Sequence, residues 1–326
     1  MTYNGMEKAI LDFGKQFAFS PRVENARKLK VHNKFTVCGM GGSNLVMGLL
    51  KIANPAIDAL EHRNYGLPPL SVAALKDRLN VAVSYSGNTG ETLSSFAEAR
   101  RRGLPLAVIA TGGKLLRRAE KYGVPYVELP ITGIQPRMAL GFITKALLKL
   151  MPYPELYRQA GALATVLKPN AVRSAGKQLA RNFKNHVPVI YASDANRMIA
   201  YNWKIKFNET GKIPAFYNVL PELNHNEMTG FDAKPKSRHL SERFHFVLHK
   251  DQDDDARIQR RMEMLARIYR ARKLPITVLP LRGKNKLHKT FSSLILADWA
   301  AFYTAKQYGL ESEQVPVVEE FKKLIS

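Results

Sequence analysis

The sequence predicts an α/β fold of two similar halves, each a parallel β-sheet flanked by helices in the doubly wound manner. Three observations carry that reading. Short apolar runs of strand character alternate with helix-periodic runs, the pattern of successive βαβ units. Turns rich in glycine and hydroxyls close the apolar runs at 39–43, 84–87 and 111–113, where the carboxyl ends of parallel strands lie. Residues 152–185 have only helical character, which divides the chain into halves at 1–152 and 153–326.

In chain order, residues 6–18 form a helix with Met6, Ile10, Phe13 and Phe17 on one face. Residues 34–38 are a strand, followed by Gly39-Met40-Gly41-Gly42-Ser43-Asn44 and an apolar helix through Ile52. A second strand begins at Val81, turns at Ser84-Tyr85-Ser86-Gly87 and enters a polar, alanine-rich helix through Arg100. A third unit runs from 104–111 through Gly112-Gly113-Lys114 into a basic helix. A strand at 123–129 and a helix at 136–151 complete the first half. The second half gives strands at 187–192, just before Leu220, at 244–249 and at 275–279. Its helices are expected at 196–208, 258–273, 290–308 and 317–325.

With 326 residues there is room for two medium-sized cores. The net charge of +23 is spread along the chain rather than gathered in a tail. Its densest run, 257–273, places Ile258, Met262, Leu265, Ile268 and Tyr269 at helical spacing, so it reads as an amphipathic helix with a solvated basic face. Diffuse positive charge draws in anionic metabolites, and no nucleic-acid-binding signature accompanies it, so no specific nucleic acid is expected. No apolar run reaches the ~18 residues of a membrane span. The first residues lack the apolar core of a signal peptide, and a cytoplasmic protein is expected. The single cysteine, Cys38, excludes an internal disulfide and argues against a thiol-ligated metal; it reads as a small core residue. His245 and His249 share one strand face without a third ligand, and Asp251, Asp253, Asp254 and Asp255 lack the glycine of a calcium loop. These residues read as strand and loop surface, and neither metal nor cofactor is expected.

The stretch that carries most chemistry is 81–93. Ser84, Ser86, Thr89 and Thr92 crowd a strand-to-helix junction, and Gly87 permits a tight turn there. A helix start offers unpaired N–H groups and the positive end of the helix dipole, which suits an anion such as a phosphate monoester. An ordinary serine or threonine N-cap is the plainer account, but it needs one hydroxyl rather than four. The 39–43 turn is similar to the opening of a dinucleotide fingerprint, with Asp58 or Glu61 as the distal acid, yet Asn44 stands at the third glycine position. A nicotinamide site would also leave 84–92 unexplained. In the second half, Phe207-Asn208-Glu209 ends a helix, and Pro221-Glu222-Leu223-Asn224-His225-Asn226-Glu227 follows a short strand. Taken alone, Glu209 reads as a solvated carboxylate and His225 as a capping residue.

Taken together and in order, these motifs resemble the bifunctional phosphoglucose/phosphomannose isomerase family of the sugar-isomerase (SIS) superfamily. The motifs are Gly39-Met-Gly-Gly-Ser43, Ser84-Tyr-Ser-Gly-Asn-Thr89 with Glu91-Thr92, Pro136-Arg137, Phe207-Asn-Glu209, Pro221-Glu-x-x-His225-Asn226 and Pro316…Lys322. The resemblance runs from about residue 35 to the end, and it implies two SIS-type subdomains. It further implies a metal-free aldose–ketose isomerase acting on glucose-6-phosphate, fructose-6-phosphate and mannose-6-phosphate. Glu209 would be the base that moves a proton between C1 and C2, and Arg137 would stabilise the enediolate. His225 and Lys322 would open the sugar ring, while Gly42, Ser43, Ser84, Ser86, Thr89 and Thr92 would hold the phosphate. The histidine reaches the site from a neighbouring subunit in this family, so a homodimer with a shared active site is implied. One departure stands out: the threonine before the family's C-terminal proline, linked to the mannose reaction, is Val315 here. Two other classes compete. A phosphosugar-sensing SIS regulator would need no Arg137, Glu209, His225 and Lys322, and too few residues precede the first strand for a DNA-binding appendage. Another SIS isomerase would act on a pentose or amino-sugar phosphate.

Overall fold

Two parallel sheets form, one in each half, as the alternation of strand and helix patterns requires. The computed structural model describes residues 5–324. The first sheet contains β1 (Lys34–Cys38), β2 (Asp58–His62), β3 (Leu79–Ser84), β4 (Leu106–Ala110) and β5 (Tyr126–Glu128), in the order β2-β1-β3-β4-β5. The second contains β6 (Val187–Ser193), β7 (Phe216–Leu220), β8 (Phe244–Lys250) and β9 (Ile276–Pro280), in the order β7-β6-β8-β9. All neighbouring strands are parallel. Each sheet therefore reverses its winding at its first strand, between β1 and β3 in one and between β6 and β8 in the other. In open α/β sheets that switch point is where ligands bind.

The expected strands and helices largely form, and the differences have physical causes. β2 was not foreseen. Its sequence, Asp58-Ala59-Leu60-Glu61-His62, mixes charges with apolar residues because it is an edge strand, buried only at Ala59. Asp58 pairs with Arg78 and Glu61 with Arg63, so neither acid stands free for a ribose. The helix expected at 6–18 breaks into Gly5–Leu11 and a 3₁₀ segment Phe13–Ala18. The helix expected at 317–325 is seen as Pro316–Leu324; Ile325 lies outside the described residues.

The chain separates into two units. Unit 1 runs from Leu11 to Leu167, and unit 2 comprises Gly5–Ile10 together with the chain from Lys168 onward. The division thus falls later than the expected 152/153. The reason is the helix Pro154–Val166, whose Leu156, Ala160 and Leu163 are buried within the first unit rather than opening the second. The first helical turns belong to unit 2, where Glu7 pairs with Arg173.

In unit 1, β3 and β4 are buried along their whole length and the helix Gly42–Ala53 is buried from Gly42 to Leu50. Such strands read as unbroken apolar runs because helices cover both faces. Cys38 is part of this core, and burial pushes its thiol up to about 12, so it stays a neutral thiol. In unit 2, the helix Ala256–Ala271 lays Met262, Leu265, Ala266 and Tyr269 against β6 and β8 and turns its arginines outward, as its spacing predicts. Asp255 caps that helix by accepting from the Arg257 N–H at 2.8 Å. Among the described residues no helix is long and apolar enough to cross a membrane.

Candidate active site

Unit 1 gathers one set of the expected residues at the β1/β3 switch. Gly42 and Ser43 open the helix after β1, and Ser84 ends β3. The buried Ser43 hydroxyl accepts from the Tyr85 N–H at 3.0 Å and so ties the two turns together. Ser84 Oγ shares a hydrogen bond with Thr89 Oγ1 at 2.9 Å and accepts from the Gly87 N–H at 3.1 Å. Thr89 stands at the N-cap of the helix Gly90–Arg101, yet its side chain caps none of that helix's own N–H groups. The N-cap account of this turn therefore fails. The Ser84 and Thr89 hydroxyls bond to each other and leave the first N–H groups of the helix without a cap from Thr89, the arrangement that favours an anion.

The backbone around this turn admits no other residue at Gly87. It has φ +68°, and a Cβ there would come within 1.8 Å of the Gly112 carbonyl oxygen. The turn after β4 braces the one after β3: Leu115 N–H donates to Gly87 O at 2.8 Å, and Lys114 N–H donates to Asn88 Oδ1 at 3.0 Å. Ser86 is exposed, with its hydroxyl accepting weakly from the Asn88 N–H at 3.3 Å. Thr92 is as buried as Ser84 but differs from it in bonding. It is 1% exposed and its hydroxyl has no hydrogen-bond partner.

Arg137 joins the same neighbourhood. It is buried in a 3₁₀ turn, Pro136–Met138, and a Cβ on Gly42 would sit 2.6 Å from Pro136 O and 3.0 Å from Arg137 Cα. Gly42 is thus the residue that lets the start of the helix Gly42–Ala53 touch the arginine turn. Gln16 holds that turn from the other side. Its amide donates to Met138 O at 2.7 Å and accepts from the Gly141 N–H at 3.0 Å. Sequence reasoning missed Gln16, because a glutamine in an apolar N-terminal run gives no sign of a partner more than a hundred residues away.

Unit 2 carries the other set. The helix Arg197–Lys206 does not simply end near Asn208 as expected; it widens into one π-helical turn, Phe207–Gly211. Single π turns of this kind recur at functional sites. Glu209 lies in the middle of the turn and is half-buried. A lysine fixes each end. Lys206 donates to Asp298 at 2.6 Å in a pair whose side chains are 2% and 0% exposed. Breaking such a pair by removing one partner costs about 3–5 kcal/mol. Lys212, in the left-handed conformation at φ 57°, donates to Glu209 O at 2.7 Å and to Gln314 O. Through Lys212 the turn holding Glu209 is fastened to the segment that holds Val315.

Val315 is the residue before the helix Pro316–Leu324, and its carbonyl accepts the helix's first N–H bonds from Val318 and Glu319. Lys322 is exposed on that helix and pairs with Glu319 at 2.7 Å. His225 is exposed as well. It follows the 3₁₀ turn Glu222–Asn224, just beyond a cis Leu220–Pro221 bond at the end of β7.

The switch point of unit 2 corrects the expectation of a plain acidic loop. Asp251 is buried, and Lys289 donates to it at 2.7 Å and to Asp253 at 2.6 Å. Asp254 accepts from Ser193 Oγ at 2.7 Å, and burial raises its carboxyl above the usual range. His245 and His249 are core rather than surface. Burial lowers them to about 4 and about 3, and His249 stands edge-on to Trp203 with 4.6 Å between ring centres. Among the described residues no group of three His, Cys, Asp or Glu is placed to hold a metal ion.

Known proteins match the chain along its length. It is 31% identical over 325 residues to a bifunctional phosphoglucose/phosphomannose isomerase of Aquifex aeolicus, with 97% of each chain covered. The chain belongs to the bifunctional phosphoglucose/phosphomannose isomerase family. Residues 173–325 match the domain described as the bacterial phospho-glucose isomerase C-terminal SIS domain. The chain is also 27% identical over 299 residues to a D-glucosamine-6-phosphate 4-epimerase of Sulfolobus acidocaldarius, with 90% of each chain covered. The fold is shared with the crystal structure of tagatose-6-phosphate ketose/aldose isomerase from Escherichia coli. That structure has a TM-score of 0.66 at 13% identity and covers 94% of both chains.

Proposed function

We propose that this protein interconverts glucose-6-phosphate and fructose-6-phosphate, and by the same chemistry mannose-6-phosphate, through a cis-enediol(ate) with neither metal nor cofactor. The observation that carries the reading is a half-buried carboxylate on a braced π turn, Glu209, in a chain that also has a hydroxyl-lined helix start at Ser84–Thr89. A phosphosugar sensor needs the second feature and has no use for the first.

In this reading Ser43, Ser84, Ser86 and Thr89, with the N–H groups beside Gly42, bind the phosphate. Glu209 takes the C2 proton of the open-chain aldose and returns a proton at C1, while the O2 hydroxyl proton passes to O1, leaving a hydroxymethyl group at C1 and the carbonyl at C2. The fixed guanidinium of Arg137 stabilises the negative charge that develops on oxygen between the two transfers. His225, assisted by Lys322, moves the proton that opens the sugar ring. The exposure of His225 supports its service to a neighbouring subunit, hence a homodimer with shared active sites. Val315 keeps the shape of threonine without its hydroxyl, so mannose-6-phosphate is the weaker substrate. An amino-sugar phosphate is the alternative, suggested by the epimerase relative.

A coupled assay with the three hexose phosphates and glucosamine-6-phosphate tests the proposal. Turnover of glucose-6-phosphate is expected; turnover of the amino sugar alone would overturn it. Mixing inactive Glu209→Gln and His225→Ala chains should restore part of the activity, since hybrid dimers contain one intact shared site. No recovery would overturn the shared site.

A further inference from the structure

We infer that Glu227 is the positioning residue that aims His225, acting as one of two pins on either side of it. The inference rests on the proposed role of His225 in ring opening.

His225 sits in a segment built of very short pieces, the turn Glu222–Asn224 and the four-residue helix Glu227–Gly230. Such pieces have too few internal hydrogen bonds to hold a shape alone. The exposed histidine therefore needs its neighbours for its orientation. Two residues before it, Leu223 is 0% exposed and packs in the core of unit 2. Two residues after it, Glu227 turns its carboxylate back onto the sheet. One carboxylate oxygen accepts from the Tyr191 hydroxyl on β6, and the other from the Asn218 side-chain N–H on β7. Tyr191 and Asn218 are directly paired across those strands, so a single carboxylate spans adjacent positions of the sheet.

Both donors are themselves fixed. Tyr191 is 0% exposed, and burial, with Tyr269 and Glu227 close by, drives its hydroxyl far above the usual range, so it remains a donor. Asn218 Oδ1 accepts from the Val219 N–H at 2.8 Å, which points its amide nitrogen toward Glu227. Asn226 completes the brace by donating to Glu222 Oε1 at 2.8 Å, across the histidine. An apolar pin and an ionic pin at equal spacing leave the residue between them facing outward. A hydrogen-bonded carboxylate fixes direction as well as depth, which an apolar contact cannot do.

The test compares cyclic glucose-6-phosphate with a hexose-phosphate analogue that cannot close its ring. His225→Ala should lose activity on the cyclic substrate far more than on the open one. Glu227→Ala should reproduce that selective loss, by up to about 10²-fold, the scale on which a small misplacement of a reacting group is felt. The double variant should be no worse than His225→Ala alone, because a residue that acts only through the histidine adds nothing once it is gone. Should Glu227→Ala fail to fold, Tyr191→Phe removes one hydroxyl, keeps the core ring, and should show the same selectivity at smaller size. Equal loss on both substrates in a folded variant, or losses that add to those of His225→Ala, would overturn the positioning role while leaving the ring-opening histidine intact. Absence of selectivity in His225→Ala itself would remove both.

Discussion

The turn after β3 in unit 1 and the turn after β8 in unit 2 occupy the same place in the two sheets, next to the strand where the winding reverses. In both, a serine hydroxyl from the first strand's turn crosses to the other. Ser43 meets a backbone N–H, that of Tyr85, whereas Ser193 meets the carboxylate of Asp254. One crossing is lined by Ser84, Ser86 and Thr89 beside an uncapped helix start. The other is filled by Asp251, Asp253 and Asp254, with Lys289 neutralising part of their charge. The lesson is that the switch point supplies a location and nothing more. In the proposed reading, hydroxyls and an uncapped helix start make it a phosphate site, whereas carboxylates make the same location a strut. In the same reading, unit 2 is relieved of binding there and carries its chemistry at the end of a helix, on Glu209.

If the units divide the work in that way, Glu209→Gln should lower turnover by about 10²–10⁴-fold with little change in KM. It should also stop exchange of the C2 proton with solvent. Near-normal exchange would return Glu209 to the status of a surface carboxylate. Next in size, placing a unit 2 type residue in the unit 1 turn should expel the phosphate. Ser86→Asp puts a charge on an exposed position, so the fold should persist while KM rises by roughly 10²-fold, since like charges brought together cost several kcal/mol. The reverse exchange, Asp254→Ser, should leave KM unchanged. An unchanged KM in Ser86→Asp would place the anion elsewhere.

Acidity should separate the units further. Buried neutral histidines occur in unit 2, at His245 and His249, whose folded values of about 4 and about 3 lie below the unfolded ~6.5. Below pH ~6.5 the unfolded chain binds protons that the folded one refuses, so stability falls as pH drops toward those values. Each histidine contributes about 1.4 kcal/mol per pH unit within that window. Hydrogen exchange at pH 7 and pH 5 should therefore show β8 losing protection more than β3, and His249→Phe should reduce the difference. Equal loss in both strands would contradict it. The smallest expected effect belongs to Val315→Thr. The mannose-6-phosphate to glucose-6-phosphate ratio should rise, and because position 315 is a helix N-cap, the new hydroxyl should also stabilise the final helix by about 1 kcal/mol. A thermal shift without a change in ratio would make position 315 structural only.

The sequence was legible where a physical requirement is local. A parallel strand buried on both faces must be apolar, so β3, β4 and β6 were plain; a glycine forced by close approach, as at Gly87, was plain too. The hydroxyl crowd at 84–92 points to an anion from sequence alone, and the uncapped helix start after it supports that reading. What escaped were features defined by partners distant in sequence. β2 was hidden by its edge charges, Gln16 by the distance to Met138, and the acidic loop by the fact that its cation, Lys289, lies on another helix. Glu209 shows the same limit: its residue type fits a solvated helix end, and only the family pattern marked it as a base.

The π turn at Phe207–Gly211 has a consequence for how this chain tolerates insertion and deletion. A π turn is an α-helix with one residue too many, and each residue in a regular helix advances the chain by about 100°. Removing Asn208 would let the ladder close into ordinary α-helix, with better hydrogen bonding than before. It would also turn Glu209 itself away from its present direction relative to the two anchors that flank it, Lys206 with Asp298 before it and Lys212 with Gln314 after it. The backbone at this place is thus kept in the longer, looser of two available spellings, and a shorter one would gain regularity at the expense of the carboxylate's aim.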